Sequence, residues 1–292
     1  MKYRISHNTT YQYDETVPVC QNQAHLTPRN DGGQACAYHR LKVRPAPSST
    51  NKRIDYFGNT VSLFSIAHGH KRLSVTATSS VEVSRRTPME SLASPSWEDV
   101  RDALPLNLSK QGLETYQFSF ASPRVPLGRE LAEYASVSFP HNRPILKALK
   151  DLNERIHSEF AYDPTATTVS TPVEEVLANR RGVCQDLAHL QIACLRSLGL
   201  AARYVSGYLR TVPLDGQPRL VGADASHAWL SVFCGPLDWI DVDPTNNVFA
   251  AADHITVAWA RDYSDVCPIN GMFIGGGHHT MKVAVDVVPM DA

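Results

Sequence analysis

In the stretch RRGVCQDLAHL, Cys184 follows a Gly-Val pair and opens an apolar helical run. A free cysteine in apolar company ordinarily packs in a core. At the first turn of a helix, however, unpaired backbone N–H groups and the helix dipole favour an anion, and hence a thiolate. Arg180 and Arg181 add to that field only if they are not simply solvated. A nucleophilic thiol needs a base within hydrogen-bond reach, and the chain offers 12 histidines. His189 is near in sequence, but five residues at 100° each turn it about 140° away from Cys184. His227 differs, because it stands at the start of a strand in ASHAWLSVF, where a histidine is either a structural hydrogen-bonder or a base.

A second strand, DWIDVD, follows after CGPL and completes a hairpin. Pairing Val232 with Asp238 sets His227 opposite Asp243 on one face. A bulge or a slip of two offers Asp241 on that same face instead. Pro244 cannot donate to a ladder, so the strand ends there and leaves Asp243 at a rim, although DPT is also an ordinary turn initiator. Thiol, imidazole and orienting carboxylate together follow the logic of a nucleophilic triad.

The elements that must position these groups are legible from periodicity. From Lys2 to Tyr13, Tyr3, Ile5, Tyr11 and Tyr13 share one face, the pattern of a half-buried strand. Gly58-Asn59 between RIDYF and TVSLFSI predicts a tight two-residue hairpin, and RLSVTATSSVEV alternates again, so residues 1–84 read as antiparallel β. Between Arg85 and Pro126 the pattern dissolves, with at most one short helix capped near Ser96. Pro144 starts a helix carrying Ile145, Leu146, Leu149, Leu152 and Ile156, and a second runs from Cys184 to Leu198. That second helix is apolar around most of its circumference, which makes it central, and Gly199 ends it. AARYVSGYL, ASHAWLSVF, DWIDVD and KVAVDVV read as strands. The expected organisation is α+β: an N-terminal antiparallel β domain plus linker over 1–119, and a core over 120–292 in which the Cys-bearing helix packs on an antiparallel sheet.

The chain of 292 residues is long enough for about two domains, and its 43% hydrophobic content implies a conventional core. A net charge of −1 excludes a global field for nucleic acid or an anionic membrane. The start MKYRISHNTTYQY lacks the apolar segment of a signal peptide, and no stretch approaches the roughly 18 apolar residues of a span, so a cytoplasmic protein is expected. None of the six cysteines forms a C-x-x-C pair, which speaks for free thiols. Neither His68-Gly-His70 nor His278-His279 has a further ligand set, and Gly275 to Gly277 read as a turn, so no metal or cofactor is expected.

With those residues in place, the chain resembles the transglutaminase-like superfamily, specifically its bacterial branch of cysteine proteases. RRGVCQDLAHL is similar to the family's cysteine motif, SHAWLSVF to its histidine motif and WIDVDPTNN to its aspartate motif, in the expected order. FAYDP, LGLAARYVSGYL and RDYSDVCPINGMFIGGG also look like that branch, and residues 1 to about 85 look like its bacterial N-terminal β domain. The resemblance implies a papain-like core with Cys184 as nucleophile, His227 as base and acid, and Asp243 orienting the imidazole. It also implies thiolate attack on a carboxamide or peptide carbonyl, giving a thioester. The Cys184 N–H then serves the oxyanion, with Tyr162 as a candidate second donor that alternatively only packs. A peptide or protein substrate follows, resolved by water in an amidase or peptidase, or by an amine in a transglutaminase. The contrasting reading is an idle binding module.

Overall fold

The computed structural model describes residues 1–84, 93–211 and 225–290. The beginning of the irregular stretch expected from the sequence, 85–92, therefore lies outside the described residues. Alternation in the first strand is matched by burial: β1 (Lys2–Val17) turns Tyr3, Ile5, His7, Thr9 and Tyr13 inward. The strands β2 (Val19–Ala24), β3 (Gln34–Arg44), β4 (Ser49–Ile54), β5 (Thr60–Ile66) and β6 (His70–Val83) follow. Gly58 does take a positive φ of 78°, yet the turn is longer than the expected two residues. Asp55 explains this, because its carboxylate accepts from Phe57 N (2.9 Å) and Asn59 N (2.7 Å) and organises a loop over 55–59.

The middle of the chain holds more helix than its composition suggests. Besides α1 (Trp97–Ala103), capped by Ser96 as expected, there is α2 (Lys110–Tyr116), where Ser109 Oγ accepts from Gly112 N at 3.0 Å. Next come α3 (Arg129–Ser136), α4 (Ile145–Glu159), β7 (Ala161–Tyr162), α5 (Val173–Asn179), β8 (Arg181–Gly182) and α6 (Cys184–Ser197). After them run β9 (Ala202–Leu209), β10 (Ala225–Phe233), β11 (Trp239–Asp243), β12 (Val248–Phe249), β13 (His254–Ala260), α7 (Tyr263–Val266), β14 (Ile269–Ile274) and β15 (His279–Met290).

Among the described residues, three larger sheets and the two-stranded pair β7-β8 organise these strands. The core sheet has the order β12-β11-β10-β9-β13 and is antiparallel throughout. The N-terminal strands form two four-stranded sheets, β15-β1-β6-β3 and β14-β2-β5-β4, each completed by a strand from the C-terminal end. The protein is thus α+β, with an N-terminal β region and a helix-on-sheet core.

Helix α6 is the centre of that core, since every residue from Asp186 to Arg196 is buried. Leu187, Ala188, Leu190, Ala193 and Leu195 pack in one cluster with Leu149 and Leu152 of α4 and with Ala202, Tyr204, Leu230 and Val232 of the sheet. Each such leucine contributes roughly 1.5–3 kcal/mol through burial. Gly199 ends the helix in the left-handed region, φ 85°. Arg196 then ties the helix end to its surroundings: its guanidinium donates to Ala202 O (2.8 Å), Phe120 O (3.1 Å), Ser122 Oγ (3.1 Å) and Arg261 O (2.7 Å). Among the described residues, no helix is long and apolar enough to cross a membrane.

Replacing Arg196 by Met leaves these buried and part-buried acceptors without their guanidinium donor. Each costs about 1–3 kcal/mol, so Arg196→Met should destabilise the protein by at least about 3 kcal/mol in urea unfolding. A loss within about 0.5 kcal/mol would show that Arg196 anchors nothing.

Candidate active site

The start of α6 is built around a close approach. Val183 N donates to Asp186 Oδ2 at 2.8 Å, so the helix's own third residue caps the residue before Cys184. Thr167 Oγ1 donates to the same oxygen at 2.6 Å. A Cβ on Gly182 would stand 2.8 Å from the Asp186 Cβ, so only glycine permits this lead-in. Gly182 in turn pairs in parallel with Tyr162, which brings β7 alongside the helix start. Cys184 is half-buried there as a free thiol. The two arginines upstream are engaged elsewhere: Arg180 with Glu159 (3.1 Å) and Arg181 with Asp163 (3.7 Å).

His227 enters from β10 and Asp243 from the end of β11, with relative exposures of 8% and 0%. His227 Nε2 donates to Asp243 Oδ2 at 2.8 Å, and the Cys184 thiol is near enough to act on the protonation of the same ring. Since Nε2 is committed to the carboxylate, Nδ1 is the nitrogen left for the thiol.

The register differs by two positions from the one expected. Leu230 pairs with Val242 and Val232 with Ile240, so Asp243 sits diagonal to His227 rather than directly opposite. The cause is the hairpin loop, which spans 234–238 with positive φ at Gly235 and Asp238. A slip of two preserves the face, and the pair still meets. Asp241, the alternative partner, instead accepts from Trp229 Nε1 at 3.3 Å.

On its other side His227 faces Gly207 of β9. A Cβ there would lie 2.4 Å from the Trp229 ring and 2.2 Å from Ile255 O. Glycine therefore opens the floor on which Trp229 rests, with its ring 6.0 Å from His227 and 5.2 Å from His254.

Asp243 is saturated with donors. Oδ1 accepts from Thr245 N (2.9 Å) and Asn246 N (3.2 Å), while Oδ2 accepts from Asn246 Nδ2 (2.7 Å), His254 Nε2 (3.0 Å) and His227. Asn246 and His254 were not singled out from the sequence. The Asx turn in DPTN was a signal for Asn246, and the alternation of HITVAWA was a signal for the strand carrying His254.

Electrostatics follow from this packing. Burial alone would lower the His227 pKa, but hydrogen bonds and charge from Asp243 and Cys184 outweigh it and raise it from 6.5 to about 10. Burial alone would raise the Asp243 carboxyl, yet bonds from His227 and His254 hold it well below the usual carboxylate range.

Tyr162 is largely exposed beside the helix start, and the partial desolvation it does undergo, with the nearby Cys184 and Asp186, raises its hydroxyl pKa. His189 is turned away, as its helical phase implies. It is buried against Tyr204 (4.9 Å), accepts from Tyr263 N (3.1 Å), and burial lowers its pKa to about 4. Gly275, Gly276 and Gly277 form a turn with positive φ, packed against Thr16, Val17 and Glu15 of the N-terminal region.

The ligand atoms of His227, Asp243 and His254 all lie within 4.8 Å of one another. Their N···O separations of 2.8 and 3.0 Å are hydrogen bonds. They are shorter than the roughly 3.3 Å between ligands of a tetrahedral ion with 2.0–2.1 Å bonds.

A thiol, an imidazole and a carboxylate thus meet on a helix-and-sheet core, and comparison with known proteins supplies the family to which that core belongs. Residues 3–82 match the bacterial transglutaminase-like N-terminal region, and residues 135–244 match the transglutaminase-like superfamily core. An uncharacterized protein of Mycobacterium tuberculosis is 39% identical over 99% of this chain and 93% of its own length. One of Mycobacterium leprae is 32% identical over 90% of each. The crystal structure of a "Putative Cysteine Protease from Cytophaga hutchinsonii" shares the fold with a TM-score of 0.77 at 20% identity, covering 100% of this chain and 92% of that one. The chain belongs to the transglutaminase-like superfamily.

The opposite shifts of His227 and Asp243 give stability a defined pH dependence. A histidine with a raised pKa contributes stability that is complete below 6.5 and lost as pH climbs through about 10. A depressed carboxyl contributes above 3.8, and its share is lost as pH falls. The destabilisation caused by Asp243→Asn should therefore be largest near pH 5–6 and shrink toward pH 10 in urea titrations. An equal penalty at both ends contradicts the ion pair.

Proposed function

We propose that the protein is a cysteine peptidase or amidase in which Cys184 is the nucleophile, His227 the general base and acid, and Asp243 the orienting carboxylate. The observation that carries this reading is His227, bonded through Nε2 to a fully buried carboxylate at 2.8 Å and held protonated by that carboxylate together with the half-buried Cys184 thiol. In the reaction, the Cys184 sulfur forms a bond to the substrate carbonyl carbon while His227 holds the thiol proton. The tetrahedral oxyanion collapses, the C–N bond breaks, and His227 gives that proton to the departing amine, leaving a thioester. Water then attacks, His227 takes its proton, the C–S bond breaks, and the thiol is restored as the acid leaves.

The Cys184 N–H, at a helix start where N–H groups lack intrahelical partners, serves as one oxyanion donor. Tyr162, brought to the helix start by the pairing of β7 with β8, serves as the second through its phenol O–H. The substrate is a peptide or protein carboxamide, and the free thiols are those of a protein in the reducing cytoplasm.

Iodoacetamide should modify Cys184 first. Cys20, Cys194 and Cys234 are buried, which leaves Cys36 and Cys267 as competitors. His227→Ala should slow that modification about 10-fold or more near neutral pH. Preferential labelling of Cys267, or an unchanged rate in the variant, removes the assignment. Turnover is tested on a peptide library with and without a primary amine. Cleavage without amine supports the hydrolase, conjugation only with amine makes the enzyme a transglutaminase, and silence in both leaves a binding module.

Tyr162→Phe should lower kcat by about 10²-fold and leave Cys184 alkylation unchanged, because a donor to the oxyanion acts only once the carbonyl is attacked. Unaltered turnover assigns Tyr162 to packing.

A further inference from the structure

The Asp243 carboxylate is shared between two imidazoles, and the triad uses only one of them. His254 stands at the start of β13, buried, with Nε2 at 3.0 Å from Asp243 Oδ2, the oxygen that also receives His227 Nε2. Its other nitrogen, Nδ1, accepts from Ala251 N at 3.4 Å. An imidazole that accepts at Nδ1 and donates at Nε2 is the neutral tautomer. His254 therefore adds a hydrogen-bond donor to the carboxylate without adding a positive charge.

The carboxylate does not need His254 to hold its place. Thr245 N and Asn246 N already hold Oδ1, and Asn246 Nδ2 holds Oδ2. The added N–H instead disperses carboxylate charge that would otherwise fall on His227. A carboxylate with fewer donors binds an imidazolium more tightly and returns its proton less readily, which matters when His227 must protonate a leaving amine.

We propose that His254 is a positioning residue of the triad, a neutral second imidazole that acts through Asp243 to limit how tightly His227 holds its proton. This rests on the triad reading above. The groups facing the cluster agree with it. Cys184 comes from α6, His227 from β10 and Asp243 from β11, while Asn153 of α4 contributes an uncharged amide to the Asp243 carbonyl at 3.2 Å. Trp229 meets the His254 ring edge-on at 5.2 Å, with its own N–H on Asp241. The adjacent Asp253 is paired with Arg210 (3.3 Å) and Tyr3 (2.8 Å).

Two variants separate a tuning role from a structural one. His254→Phe keeps a planar ring but removes the donor, whereas His254→Gln returns an N–H donor near the place of Nε2. Histidine-labelled ¹⁵N NMR of the full chain, with resonances assigned by their loss in His227→Gln and His254→Gln, follows the titration of His227. The pH profile of Cys184 alkylation follows its consequence.

In the unsubstituted protein the nitrogen shifts should show His254 as the Nε2–H tautomer. His254→Phe should move the alkaline titration of His227 upward by at least about half a pH unit, and His254→Gln should restore it. An Nδ1–H tautomer, an unmoved titration or a downward shift in His254→Phe overturns the proposal. Failure of the triad reading looks different: Cys184 is then no more reactive than Cys36 or Cys267 before any substitution is made. If His254→Phe does not fold, His254→Gln and the tautomer measured in the unsubstituted protein still decide the matter.

Discussion

The carboxylate of Asp243 is a fully buried charge, and most of the local architecture exists to satisfy it. Such a charge is costly unless it is paired and hydrogen-bonded. Here β11 ends at Pro244, the next residues curl back so that two backbone N–H groups reach Oδ1, and three side-chain donors converge on Oδ2. Asn153 of α4 binds the carbonyl of the same residue, so the carboxylate is tied to a helix as well as to the sheet. Removing any one donor leaves the others in place, which makes the orientation of His227 a property of the whole cluster.

The second half of the site depends on how α6 begins. Asp186 caps the residue before Cys184 and also holds Thr167, while Gly182 allows β8 to lie directly against it. The same pairing carries Tyr162 to the helix start. The far end of the helix is held by Arg196 and by the left-handed Gly199. Cys184 therefore sits on an element fixed at both ends, against a sheet whose strand β10 carries His227. The thiol and the imidazole are positioned by a helix and a strand rather than by loops.

Much of this was legible in the sequence because the relevant signals are local and periodic. Cys184 at a helix start, His227 on a strand and Asp243 before a proline are statements about nearest neighbours. Their shared face follows from parity, which survived a two-position change in register. The change itself was not legible, since loop length depended on the left-handed conformations of Gly235 and Asp238. His254 escaped because β13 pairs with β9, two strands from His227, so its contact with Asp243 is set by sheet order rather than by any local signal. Helix α2 escaped for a different reason: its cap at Ser109 is a single side-chain bond inside a polar stretch without an apolar stripe. The return of β14 and β15 to the N-terminal sheets was likewise non-local, although the last strand's own alternation was plain.

The account stands on one covalent event at one sulfur. The most direct measurement is intact and tryptic mass spectrometry of the protein quenched during turnover of a peptide from the cleaved library, followed by neutral hydroxylamine. The account predicts an acyl adduct on Cys184 that hydroxylamine removes and that is absent in Cys184→Ala. Product formation with no adduct on Cys184, or undiminished turnover by Cys184→Ala, would contradict it.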